Sequence, residues 1–322
     1  MNDILKELKN CNNKVYKYFW KKSKDFIEDL AEKGLITQTI YRKTKSENSF
    51  SFKKLDGSEL ETLKEIFGDI NEGCFESATK GQGNELERIL TMHSSALLGL
   101  LFFNSVSEEN PLSIEIGENR YEFTSADFEF KNPCLKKDVN GNEYRPSCID
   151  IKLTDKKQNT VLFLESKLSE YLHNGKQTGI SLEYKRQYAD IFKEGELTDE
   201  LTIKEENGSL TLTTKDGRCS HYCQGIKQMI CHFIGAMNYK EETEHKEGEV
   251  LLGTILLDLS SIAKTSYDRY CNDYEQLADK LTKLGKGVKM IGKPFTYQCL
   301  YTDMSKGFKL SDQVVEYYGL NK

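Results

Sequence analysis

From Asn84 onward the chain predicts an α/β fold in which a mixed sheet is covered by helices on both faces. A helical pattern over Glu85 to Phe103 gives way to strand-like runs, and those runs then alternate with further helical stretches. No internal repeat of about 20–50 residues is visible, which excludes solenoids and propellers.

Residues 1–33 read as one helix, with Ile4, Leu8, Val15, Phe19, Phe26 and Leu30 at helical intervals and Gly34 as a stop. Leu35 to Phe52 alternates as a short hairpin would, and Leu60 to Phe67 forms a second helix ended by Gly68. The polar, glycine-rich run Ala78 to Asn84 is the expected junction between an N-terminal accessory region, 1–83, and a main domain, 84–322. After the helix from Glu85, strands are expected at Ser113 to Ile116, Arg120 to Phe130, Ser147 to Leu153 and Val161 to Lys167. A helix over Ser181 to Phe192 follows, then a hairpin from Leu201 to Thr214 turning at Asn207-Gly208. The remaining expectations are a helix from Tyr222 to Asn238, a strand from Val250 to Leu259, a helix from Tyr267 to Leu284 and a strand from Phe295 to Tyr301.

At 38% hydrophobic and 30% charged residues, the 322-residue chain reads as a soluble globular protein. Its start lacks the order of a signal peptide, and its longest apolar stretch, Ala96 to Phe103, is too short to span a bilayer. Nine cysteines at irregular spacing suit reduced thiols, so a cytoplasmic location is expected and no membrane partner. The net charge of −6 is uneven, because residues 1–54 hold 13 Lys+Arg against 7 Asp+Glu, a local balance of +6. Within that segment Tyr16-Lys-Tyr-Phe-Trp-Lys-Lys22 interleaves aromatics with lysines, a composition suited to a nucleic-acid backbone and its bases. The same pattern also fits an amphipathic helix with a solvated lysine face.

The stretch with the most chemistry is Pro146-Ser-Cys-Ile-Asp150, followed after fourteen residues by Glu165-Ser166-Lys167 at the end of the apolar run Val161 to Leu164. Strand alternation sends Glu165 and Lys167 to one face and Ser166 to the other. Carboxylates on neighbouring strands lie close enough to share one ion, and charges at the end of a buried strand are costly unless paired, hydrated or bound to metal.

These residues resemble the signature of the PD-(D/E)XK phosphodiesterase superfamily. That family's restriction-endonuclease-like core of helix, three strands, helix and strand is similar to the order read over roughly residues 84–260. Here Pro146 is separated from Asp150 by three residues rather than adjacent to it. The resemblance implies a Mg²⁺-dependent nuclease, with Mn²⁺ able to substitute and DNA as the expected partner. Asp150 and Glu165 would be metal ligands with the Ser166 carbonyl a third oxygen, and Lys167 would orient the attacking water and stabilise growing charge. A further glutamate from the first core helix is expected to be Glu85. At about 100° per residue it shares a face with Ile89, Met92 and Ala96, whereas Glu87 falls outside that face. Gln224 and Lys227 on one helix, and Lys185 and Arg186 on another, are candidate nucleic-acid contacts, although a solvated helix face would look the same. The reading is also compatible with a homodimer. The alternative keeps the fold without catalysis, as a module that binds nucleic acid or protein partners.

Two other signals carry less. Cys219, His221 and Cys223 could begin a zinc site, but Cys231 and His232 fall within an apolar helix, where Cys acts as a small hydrophobe. Gly81-Gln-Gly83 lacks the ending of a phosphate loop and follows no strand.

Overall fold

The computed structural model describes residues 3–39, 49–55, 57–80, 85–135, 144, 146–157, 159–172, 178–193, 195–206, 208–215, 221–242, 248–284, 286–304 and 308–321. Three short helices, α1 (Asp3–Asn10), α2 (Lys14–Lys22) and α3 (Lys24–Glu32), stand where the sequence reading expected one. The first break comes where the Asn13 side chain accepts from the Val15 N–H at 2.9 Å and so caps α2. At the second, the buried Ser23 hydroxyl reaches the carbonyls of Glu316 and Tyr317 at 2.8 and 2.5 Å, which turns the chain toward its own C-terminal segment.

Strands β1 (Ile36–Thr39) and β2 (Ser49–Phe52) pair as an antiparallel hairpin. Helix α4 (Glu59–Phe67) is capped by Ser58 and stopped by Gly68 at φ 86°, a left-handed conformation that glycine adopts without a steric penalty. Helix α5 (Glu72–Thr79) occupies part of the expected junction, of which residues 81–84 lie outside the described residues. The long helix expected from Glu85 is instead a single turn, α6 (Glu85–Arg88), and a separate α7 (Ser95–Phe103). Between them the backbone straightens to pair with β2, Met92 N–H donating to Phe50 O at 3.0 Å and Phe52 N–H to Leu90 O at 2.8 Å. Ser94 then starts α7 by accepting from Leu97 N–H at 3.1 Å.

The central strands are β3 (Leu112–Ile116), β4 (Asn119–Asn132), β5 (Ser147–Asp155) and β6 (Thr160–Lys167). A smaller unit follows with β7 (Thr178–Ile180), α8 (Leu182–Gln187), β8 (Gly195–Glu196), β9 (Leu201–Glu206) and β10 (Ser209–Thr214). The chain then re-enters the main body through α9 (His221–Glu242), β11 (Glu249–Leu256), α10 (Ser260–Thr282), β12 (Val288–Met290), β13 (Phe295–Thr296), α11 (Tyr297–Met304) and α12 (Asp312–Tyr318). Helix α8 ends well before Phe192. The strand expected to reach Tyr301 ends at Thr296, whose hydroxyl accepts from Cys299 N–H at 3.1 Å and starts α11.

The main sheet has the order β12-β11-β6-β5-β4-β3, with β13 also paired to β11. It is mixed: β3 to β6 form an antiparallel meander, and β11 runs parallel to β6, β12 and β13. This is an α/β architecture with helices on both faces. On one face α7 packs over Ile151, Leu153, Leu162 and Leu164, in a core that also takes in α1 to α5, α11 and α12. On the other, α9 and α10 cover Ile149, Val161, Phe163, Leu252 and Leu256. Strand β6 is buried along all but its first residue, which explains its continuous apolar run. Among the described residues no helix is long and apolar enough to cross a membrane.

On α9, a Cβ at Gly235 would meet the buried Asn132 side chain of β4 at 3.0 Å. Gly235→Ala is therefore expected to destabilise the fold by about 1–3 kcal/mol, read as a lower urea midpoint with unchanged slope.

Candidate active site

Two strands that end beside each other bring the charged residues together. At the end of β6, Glu165 and Lys167 face α9 while Ser166 faces α7. The Lys167 ammonium donates to Glu165 Oε1 at 2.5 Å and to Gln228 Oε1 at 3.0 Å. Glu165 Oε2 lies 2.8 Å from His232 Nε2, and His232 Nδ1 lies 2.5 Å from the Ser147 hydroxyl at the start of β5. Gln228 and His232 are four residues apart on α9, so one helical face supplies both partners. On the opposite side the Ser166 hydroxyl donates to Ser95 O at 3.0 Å. It must then accept from the Tyr297 hydroxyl, 2.8 Å away.

Asp150 enters where the β5–β6 ladder stops. The last paired residues are Ile151 and Leu164, and beyond them Asp150 Oδ2 takes the place of a backbone acceptor for Ser166 N–H at 2.7 Å. In a strand the N–H and C=O of one residue point to the same side, so the Ser166 carbonyl is also directed toward Asp150. Strands β4 and β5 change face at this level. Phe128 and Ile151 belong to the α7-side core, whereas Phe130 and Ile149 pack on the α9 side. Between those pairs stand Asp150 and Glu129, a non-glycine residue at φ 49°. Such a backbone costs on the order of 1–3 kcal/mol and persists only where its surroundings impose it. Glu129 and Asp150 line one shallow cleft with Ala78, Ser95, Ala96 and Gly99.

The charges are poorly balanced. Burial, and then the neighbouring Glu165, push the Asp150 carboxyl well above its ordinary value, with Glu129 adding to the effect. Burial would raise Glu165 as well, but Lys167 and His232 outweigh it and hold that carboxyl at about 2. Burial would lower Lys167, yet Glu165, Glu170 and Asp150 keep its ammonium firmly protonated. Asp150 and Glu165 thus both feel one buried ammonium, and Glu129 acts on Asp150 from its other side of the cleft. Glu170 adds a further negative charge while accepting from Leu168 and Ser169 N–H at 2.9 Å.

Among the described residues, no three His, Cys, Asp or Glu side chains converge on a point that could hold a metal. The donors at hand are nonetheless all oxygen: Asp150, Glu165 and the Ser166 carbonyl. That set suits a Mg²⁺-class ion, which takes one or two carboxylates and keeps several waters.

The other sequence candidates lie elsewhere. Glu85 begins the one-turn α6, apart from α7, so the continuous helical face that selected it does not exist; its side chain is outside the described residues. The Gln224 side chain is likewise outside them. Lys227 donates to Gly179 O at 2.6 Å, Lys185 pairs with Glu205 at 2.7 Å and Arg186 with Glu183 at 3.3 Å, so each holds the protein's own acceptors. For the zinc alternative, Cys219 and the His221 and Cys223 side chains fall outside the described residues, while His232 serves Glu165. The residues missed as site members are Glu129, Ser147 and His232. Only the Gln228-to-His232 spacing, aimed at the same surface, was a usable signal for one of them.

No family model, curated protein or solved structure matches the chain.

Proposed function

We propose that the chain is a metal-dependent phosphodiesterase acting on DNA, built on a restriction-endonuclease-like core formed by α7, β4, β5, β6, α9 and β11. The observation that carries this reading is the meeting of Asp150 with the Glu165–Lys167 pair where two central strands part. Asp150, Glu165 and the Ser166 carbonyl would hold the ion, and the excess of carboxylates over ammonium groups supports cation binding there. Bound Mg²⁺ would stabilise charge on the phosphoryl group and acidify a water. Lys167, held by Gln228, orients the attacking water and stabilises negative charge that grows on the attacked phosphate. His232 fixes the Glu165 carboxylate from behind, as Ser147 fixes His232.

With Mg²⁺ or Mn²⁺ the protein is expected to cut plasmid DNA, and with chelator it is not. Mn²⁺ at about 100 times its Kd should add roughly 2.7 kcal/mol of stability, several degrees in melting temperature. One observation favours a second reading. Both Glu165 oxygens already have partners, as they would in a non-catalytic module of the same fold. That module would bind DNA, show no Mn²⁺-dependent rise in melting temperature and leave DNA intact.

A further inference from the structure

Helix α2 is the most one-sided charged element of the N-terminal region. Its nine residues include Lys14, Lys17, Lys21 and Lys22 and no acid, whereas α1 and α3 mix both signs. All four lysines are exposed, and among the described residues none is in an ion pair. The aromatics between them do not reach solvent in the same way. Tyr16, Tyr18 and Phe19 are at most 1% exposed and Trp20 is half-buried, so three of the four aromatics suggested by the sequence cannot stack on bases and the face left is mainly lysine. Lys14, Lys17 and Lys21, spaced three and four apart, form a single stripe.

Two hydrogen-bond chains tie the buried side of α2 to the residues beneath the candidate site. The Tyr16 hydroxyl lies 2.7 Å from His93 Nδ1, two residues before Ser95, whose carbonyl takes the Ser166 hydroxyl. The Tyr18 hydroxyl accepts from Gln298 Nε2 at 3.0 Å, and Gln298 follows Tyr297, whose hydroxyl bonds Ser166. Both chains end on the Ser166 hydroxyl, on the α7 side of β6, opposite the side chains of Glu165 and Lys167. A stripe of positive charge with no ion pair among the described residues is therefore fixed to the same framework as β6, in a chain whose net charge is −6.

We propose that the Lys14–Lys17–Lys21 face of α2 is the surface that grips the phosphate backbone of duplex DNA. This rests on the nuclease reading for its partner. Its chemistry, neutralisation of phosphates by exposed lysines, carries no base specificity.

The test is fluorescence anisotropy with a labelled 30-base-pair duplex in EDTA, titrated at several salt concentrations, with no cleavage step involved. Three proteins are compared: wild type, Lys14→Glu/Lys17→Glu/Lys21→Glu, and the control Lys204→Glu/Lys289→Glu/Lys293→Glu with the same net charge change. Each lysine on a phosphate contributes about 0.9 to the slope of log K against log salt, so the α2 variant should lose roughly 2–3 from that slope and bind at least about tenfold more weakly. The control should keep the wild-type slope. Because exposed lysines carry little fold stability, the α2 variant should melt with the wild type, and the milder Lys→Gln triple should fall between them. The proposal is overturned if the wild type does not bind, if the α2 variant binds with an unchanged slope, or if the control weakens equally. Cleavage in Mn²⁺ is scored separately: α2-dependent binding by a protein that never cuts would overturn the nuclease reading and leave this surface standing.

Discussion

Glu165→Gln and Lys167→Ala are each expected to abolish metal-dependent cleavage, a loss of roughly a hundred- to thousand-fold or more. The two variants should differ in stability. Removing Lys167 leaves Glu165, which is 1% exposed, with His232 as its remaining partner, and breaking such a buried pair costs about 3–5 kcal/mol. Glu165→Gln/Lys167→Met removes both charges and should recover most of that loss while staying inactive. Circular dichroism melts beside single-turnover cleavage separate the two effects, and full cutting by either single variant would sink the assignment. The pair also sets an acid limit. Glu165 is depressed from the ordinary 4.5 to about 2, so its contribution is complete above 4.5 and is lost as pH falls toward 2.

Asp150→Asn is expected to separate stability from function. The asparagine oxygen can still accept from Ser166 N–H, but the charge that burial and Glu165 disfavour is gone. The Asp150 carboxyl is raised above its ordinary 3.8, so the folded state holds that proton more tightly than the unfolded chain. Its contribution is full below pH 3.8 and is lost as pH rises through the folded-state value. In EDTA the variant should therefore melt with the wild type near pH 4 and a few degrees above it at pH 8. Adding Mn²⁺ should invert the order, because only the wild type keeps the second carboxylate. A variant that melts below the wild type at pH 8 in EDTA would contradict this account of the site.

Strand β6 was legible because a run buried on both faces must be apolar throughout, and because two-residue alternation then settles which way Glu165 and Lys167 point. The break after α6 was not legible. The sequence there supports a helix, and only pairing with β2, forty residues earlier in the chain at Phe50 and Phe52, pulls Leu90 to Met92 straight. The face change of β4 and β5 was hidden for a related reason: nothing in the string Phe128-Glu-Phe130 marks Glu129 as left-handed. His232 was discounted because on an apolar helix histidine usually is an ordinary core neighbour. Its partners sit on two strands, and the sequence cannot place them beside it without knowing how α9 crosses the sheet.

The contacts between α12 and the first helices have a consequence for how the molecule comes into being. Tyr18 donates to the carbonyl of Tyr318, 300 positions later, and Phe19 stacks on Tyr317 with ring centres 4.9 Å apart. Tyr317 also touches the rings of Phe26, Phe52 and Phe67. During synthesis, every one of those early rings emerges from the ribosome long before the tyrosine that covers it. The core around the opening helices is therefore completed only when the last turn of α12 is in place, and contacts of such separation raise the contact order of the fold.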